Sequence, residues 1–134
     1  MATILIPKGF DLIIRNVQLI WGKFYANNNK DNEIPAGAIG GKIVKSGDTY
    51  IVYTCGRENT WSGPEGSFDI YDNNKNLQLG NYYWYCPHWS SENTSQWKQN
   101  PDQTVTNNYN IIQSGGNLNS GALGKITFNL IYSD

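Results

Sequence analysis

Histidine occurs once in this 134-residue chain, at His88, and cysteine only twice, at Cys55 and Cys86. That scarcity excludes the common metal and nucleophile motifs. One imidazole and two thiols supply at most three soft ligands, and Cys86-Pro87-His88 has neither C-x-x-C spacing nor a matching distal pair. Runs of like charge are equally scarce. Ten basic and eleven acidic residues leave a formal net charge of −1, so no basic stripe exists to release counterions from nucleic acid or to seek anionic membranes. Long apolar runs are missing too, and nothing approaches the roughly 18 residues of a spanning helix. The start, MATILIPKGFDL, lacks a basic n-region and breaks its apolar run at Pro7. The expectation is a chain made soluble, without a signal peptide, that reaches the outside by another route.

Three further motifs fail on inspection. GAIGGKIV (Gly37 to Val44) would need glycine at Ala36 and Ser or Thr at Ile43 to form a phosphate loop. NNNKDNEI (Asn27 to Ile34) lacks the alternating acidic ligands and central glycine of a calcium loop. The carboxylates Glu58, Glu65 and Asp69 are scattered, and nothing pairs them for glycoside chemistry. A non-enzyme without metal or cofactor is therefore expected. The two cysteines could pair or stay reduced; without an export signal, two free thiols are the simpler reading.

What the chain has in quantity is aromatic side chains, 13% of residues with five Trp and nine Tyr. It also has asparagine clusters at Asn27-Asn28-Asn29, Asp72-Asn73-Asn74 and Asn107-Asn108. Asparagine tolerates positive φ and bonds its own backbone, so these clusters read as turns. Between them, hydrophobicity alternates with period two and no 3.6-residue stripe stands out. FDLIIRNVQLIWGKFYA (Phe10 to Ala26) is a long strand whose phase shifts at Arg15-Asn16, the sign of a bulge. AIGGKIVKSGDTYIVYTC reads as two strands joined at Ser46-Gly47-Asp48, and GSFDIYDNNKNLQLGNYYWYC as a hairpin turning at Asp72 to Asn76. Two more strands are expected near Thr104 to Gln113 and Leu123 to Tyr132, with a long loop between Pro87 and Asp102. Residues 1–134 thus form one all-β domain, an antiparallel β-sandwich of about seven to nine strands.

The densest aromatic stretch is YYWYCPHW, Tyr82 to Trp89. Alternation puts Tyr83 and Tyr85 on one face of a strand and Tyr82, Trp84 and Cys86 on the other. Trp84 is therefore a candidate for the core or its edge. Trp61, Trp89 and Trp97 stand in polar sequence and read as loop-borne, exposed binding residues. Asn93-Thr94-Ser95, formally a glycosylation acceptor, reads as polar loop. Each aromatic ring can bury about 150–250 Å². Such a cluster suits a membrane interface, where Trp and Tyr settle at headgroup level. A glycan-binding surface and a self-assembling structural protein with aromatic faces between subunits are the alternative uses.

Several stretches together resemble the aegerolysin family: WGKFYANNNKDNEI, GKIVKSGD, CGRENTWSGPEGSFDIYD, YYWYCP and SGGNLNSGALGKIT. They follow the family's order over almost the whole chain. The resemblance implies an actinoporin-like β-sandwich that binds membrane lipids and does no catalysis. Its implied targets are sphingolipids, notably ceramide phosphoethanolamine or sphingomyelin with cholesterol. Its implied partner is a larger perforin-like (MACPF) protein that supplies the pore of a two-component, in some cases insecticidal, toxin, with homo-oligomers forming on the membrane. Trp21 and Trp84 stand in matching family words and inherit a place at the lipid-facing end. The implied lipid-binding set is Trp21, Trp61, Trp84, Tyr85, Trp89 and Trp97. Departures from the family concern lipid choice: Tyr85 replaces an aspartate, His88 interrupts Cys-Pro-Trp, and Ser62 aligns with a glutamate used in lipid selection by fungal sphingomyelin binders.

Overall fold

The structure, a computed structural model, describes residues 1–58, 63–87 and 92–133. Alternating burial along almost every strand is what makes two sheets close on each other. Strands β1 (Ala2–Lys8), β3 (Lys23–Tyr25), β4 (Glu33–Ile34), β6 (Tyr50–Cys55), β10 (Tyr109–Gly115) and β11 (Lys125–Tyr132) form one sheet, in the order β10-β11-β1-β6-β3-β4. The other sheet runs β5-β2-β7-β8-β9, from β2 (Leu12–Trp21), β5 (Ile43–Val44), β7 (Glu65–Asp72), β8 (Leu77–Tyr85) and β9 (Thr94–Gln99). Pairing is antiparallel except between β1 and β11. The sandwich expected from the sequence is the one found. Eleven strands occur among the described residues rather than seven to nine, and the two- and three-residue pieces β3, β4 and β5 account for the surplus.

Inward residues of both sheets meet in one core around Leu5, Leu12, Phe24, Phe68, Tyr82 and Phe128. The hairpin β7-β8 turns where expected, and Asp72 shows why. Its buried carboxylate accepts from the backbone N–H of Asn74 and Lys75 and from the Tyr109 hydroxyl, closing the turn onto the opposite sheet. The bulge in β2 is also where the phase shift put it. Register with β7 jumps between Arg15 and Gln18, Asn16 sits at φ +53°, and its side-chain amide donates to Asp69 at 2.6 Å.

Three local readings need correction, and one stretch left unassigned finds its place. The strands either side of Ser46-Gly47-Asp48 are not neighbours: β5 lies in one sheet and β6 in the other, so this turn crosses the sandwich. Thr104 does not begin a strand. Asp102 caps a short helix α1 (Gln103–Asn108), its carboxylate accepting from the Thr104 N–H at 2.8 Å, and β10 follows. The segment MATILIPK, apolar on both faces, is the interior strand β1. Pro7 is tolerated there because pairing with β6 ends at Leu5. The region from Pro87 to Asp102 is not one long loop, for β9 occupies Thr94–Gln99 within it.

Buried phenols couple this core to pH. Burial pushes the Tyr82 hydroxyl well above its ordinary value; burial and the Asp72 carboxylate do the same for Tyr109. Tyr83 is pushed up to about 12, first by burial and then by Glu65. A raised folded-state pKa favours the neutral phenol, so this stability is complete below the unfolded value near 10 and is lost as pH rises beyond it. The phenols should contribute no change in the urea midpoint from pH 7 to 9. Above pH 10 each of the buried Tyr82 and Tyr109 should withdraw about 1 kcal/mol per pH unit. A midpoint unchanged at pH 11.5 would show that these phenols ionise as easily folded as unfolded.

Candidate functional site

One end of the sandwich collects the finish of β2, β6, β8 and β10 and the start of β1, β3, β7, β9 and β11. Close backbone approaches build it. At Gly22 the chain leaves the five-stranded sheet for the six-stranded one, with φ +93°, and a Cβ there would lie 2.4 Å from the Cys55 carbonyl oxygen. Only glycine fits this corner. Beyond β7 and β8 the strands stay together, since Cys86 N–H donates to Pro64 O at 2.9 Å. Asn93 clamps the loop before β11 to the base of β9. Its backbone N–H bonds the Leu118 and Asn119 carbonyls, and its side-chain amide bonds those of Asn117 and Gly121 at 2.8 and 2.9 Å.

That construction pushes apolar side chains outward. A second register shift in β2, between Leu19 and Trp21, turns Trp21 from the core phase of Val17 and Leu19 to the outer face. Trp21 is 54% exposed and its neighbour Ile20 51%, while Leu118 in the clamped loop reaches 55%. On the outer face Trp21 pairs with Glu65, Glu65 with Tyr85 and Tyr85 with Thr94, so four adjacent strands contribute one row. The Tyr83 hydroxyl donates to Glu65 Oε2 at 2.5 Å and fixes that carboxylate. Behind the row lies a cleft of about 330 Å³ lined by Thr54, Cys55, Gly63, Pro64, Cys86 and Pro87, among others. Both cysteines are free thiols, and burial pushes the Cys86 thiol up. A thiol held protonated in this way is a weak nucleophile.

The aromatic residues read from the sequence separate into distinct groups. Trp21 and Tyr85 are at this end, facing outward. Trp84 is not available to a ligand: it is wholly buried, among Phe24, Phe68 and Tyr82. Gly66 leaves the space for it, since a Cβ there would meet Trp84 Cζ2 at 2.6 Å. Trp97 is not loop-borne. It sits half-buried on the inner side of β9, 5.3 Å from the Phe128 ring and over Gly80. Nor is Asn93 a surface acceptor, because it is buried and its amide is committed. Trp61 and Trp89, with Ser62 and His88, lie outside the described residues. Ile20, Leu118 and Glu65 were not singled out for the site from the sequence. For Glu65 the signal is register, visible only once β2, β7 and β8 are aligned.

Fold and site together define a class: a two-sheet binding protein whose loop-bearing end exposes aromatic and aliphatic side chains around an outward carboxylate. The chain belongs to the aegerolysin family, whose model matches residues 4–133. It is 43% identical over 119 residues to Aegerolysin Aa-Pri1 of Cyclocybe aegerita, covering 88% of this chain and 79% of the relative. It is 39% identical over 118 residues to Ostreolysin A6 of Pleurotus ostreatus, covering 87% and 82%. Among solved structures, IP-1A from Alcaligenes faecalis superposes with a TM-score of 0.88 at 34% identity, over 100% of this chain and 91% of that one. The family is one of lipid-binding, cytolysin-related proteins rather than enzymes.

Proposed function

We propose that this protein recognises sphingolipids in target-cell membranes, of the ceramide phosphoethanolamine or sphingomyelin/cholesterol type, through its loop-bearing end. In the same reading it is the targeting half of a two-component pore-forming toxin, self-associating on the membrane and recruiting a larger perforin-like protein. The observation that carries the lipid part is the end of β2 before Gly22, where a register shift leaves the consecutive Ile20 and Trp21 half-exposed. Exposed tryptophan beside an aliphatic residue suits the boundary between headgroups and acyl chains. The formal net charge of −1 fits a zwitterionic target, which offers no net charge to complement.

Sedimentation with liposomes tests it. Vesicles containing ceramide phosphoethanolamine or sphingomyelin with cholesterol should pull the protein down, and phosphatidylcholine vesicles should leave it in the supernatant. Equal, negligible binding to all three, with hits on a glycan array instead, would replace lipid by sugar. For the partner, dye release from the bound vesicles should require addition of a larger perforin-like (MACPF) protein. Release by this chain alone would remove the two-component reading.

A further inference from the structure

We propose that the outward row Trp21, Glu65 and Tyr85 is a seat for an ammonium group, the cationic end of a zwitterionic headgroup; this deepens the lipid-binding reading above and rests on it. The three residues are direct partners on adjacent strands, Trp21 opposite Glu65 and Glu65 opposite Tyr85. Neighbouring strands stand about 4.8 Å apart, which places the two aromatic residues roughly 10 Å from one another with the carboxylate between them. A cation held midway would lie within the ~6 Å of each ring over which an aromatic face attracts it. Aromatic walls with an acid at the base are the chemistry that recognises choline-type groups.

Two details make the carboxylate more than a surface charge. Tyr83 donates to Glu65 Oε2, so the acid is fixed in place. A carboxylate accepts about four hydrogen bonds, so this one contact leaves accepting capacity for an ammonium N–H or for the polarised methyls of a quaternary one. The local charge is also right. The row ends at Thr94 with no basic member, and the basic residues of this face, Arg15 and Lys98, align with Asp69 and Asn81, two outward rows away. Arg15 is engaged there with Asn76 and the Tyr71 ring. Trp21 is the most exposed member of the row, with Glu65, Tyr85 and Thr94 partly covered.

Glu65→Gln tests the seat, because glutamine keeps an acceptor for Tyr83 and removes only the charge. Titration of the soluble protein with choline chloride, against matched sodium chloride, should shift NMR signals of Trp21 and Tyr85. The variant should weaken that binding about tenfold, as expected for losing the ion pair beneath a cation–π contact. In a parallel arm, wild-type protein should bind sphingomyelin/cholesterol vesicles and not vesicles whose sphingomyelin is replaced by ceramide phosphate, which lacks the ammonium. Choline shifts absent from this row, or undiminished in the variant, overturn the seat, even where wild type and variant sediment equally with sphingomyelin and the lipid reading stands. Shifts that depend on Glu65 in a protein that binds no vesicle keep the seat and overturn the lipid reading. Unchanged thermal unfolding of the variant confirms that the fold is not what was altered.

Discussion

Trp84→Ala should lower the free energy of unfolding by about 3–5 kcal/mol, the cost of truncating a large aromatic in a core that cannot collapse around the loss. The ring is wholly buried and packs against Phe24 from one sheet and Phe68 and Tyr82 from its own. Gly66 forms part of its bed, with a glycine chosen because a Cβ would collide with the indole. Removing the ring therefore leaves a cavity whose walls belong to different strands and cannot all move inward. Trp84→Phe should cost clearly less. Phenylalanine retains most of the packing, and the buried indole N–H has no acceptor among the described residues to lose. Urea unfolding of both variants checks this. A loss below about 1 kcal/mol for Trp84→Ala would be the value of a surface residue, and would return Trp84 to the ligand-facing set.

The contrast between Trp84 and Trp21 shows what alternation could and could not reveal. In NYYWYC the period-two pattern grouped Tyr82, Trp84 and Cys86 on one face, and that face is the buried one, because β8 runs regularly from Asn81 to Tyr85 against β7. What alternation left open was which aromatic face would meet a ligand. In β2 the first bulge was legible, since Asn16 both breaks the phase and suits a positive φ. The second was not. Ile20 and Trp21 are both apolar, so a register shift there leaves no mark in the hydrophobic pattern, yet it turns Trp21 out of the core. Trp97 escaped for the opposite reason. In TSQWKQ a single apolar residue among polar ones reads as loop, but β9 is the edge of its sheet. One inward ring, seated in the space left by Gly80 on β8, is all the core requires of it. Features that depend on a glycine in a different strand, or on pairing across three strands, exist only in three dimensions. The Glu65 row is of that kind.

Trp21→Ala should separate docking from folding. With about half of a tryptophan's surface exposed, insertion at a membrane interface can remove roughly 100 Å² from water, worth up to about 2.5 kcal/mol at 25 cal/mol/Å². The variant's affinity for sphingomyelin/cholesterol vesicles should accordingly fall between about tenfold and sixtyfold. Its unfolding free energy should change by no more than about 1 kcal/mol, because only the half of the ring that rests on the corner contributes to the fold. Ile20→Ala should act in the same direction more weakly, having less apolar surface to insert. Gly22 gives the opposite pattern. Any side chain there meets the Cys55 carbonyl, so Gly22→Ala should lose stability and binding together as the corner that presents Ile20 and Trp21 is forced open. Vesicle binding and urea unfolding measured side by side on Trp21→Ala decide the matter. Undiminished binding by a stably folded Trp21→Ala protein would mean that the exposed corner is not the docking edge.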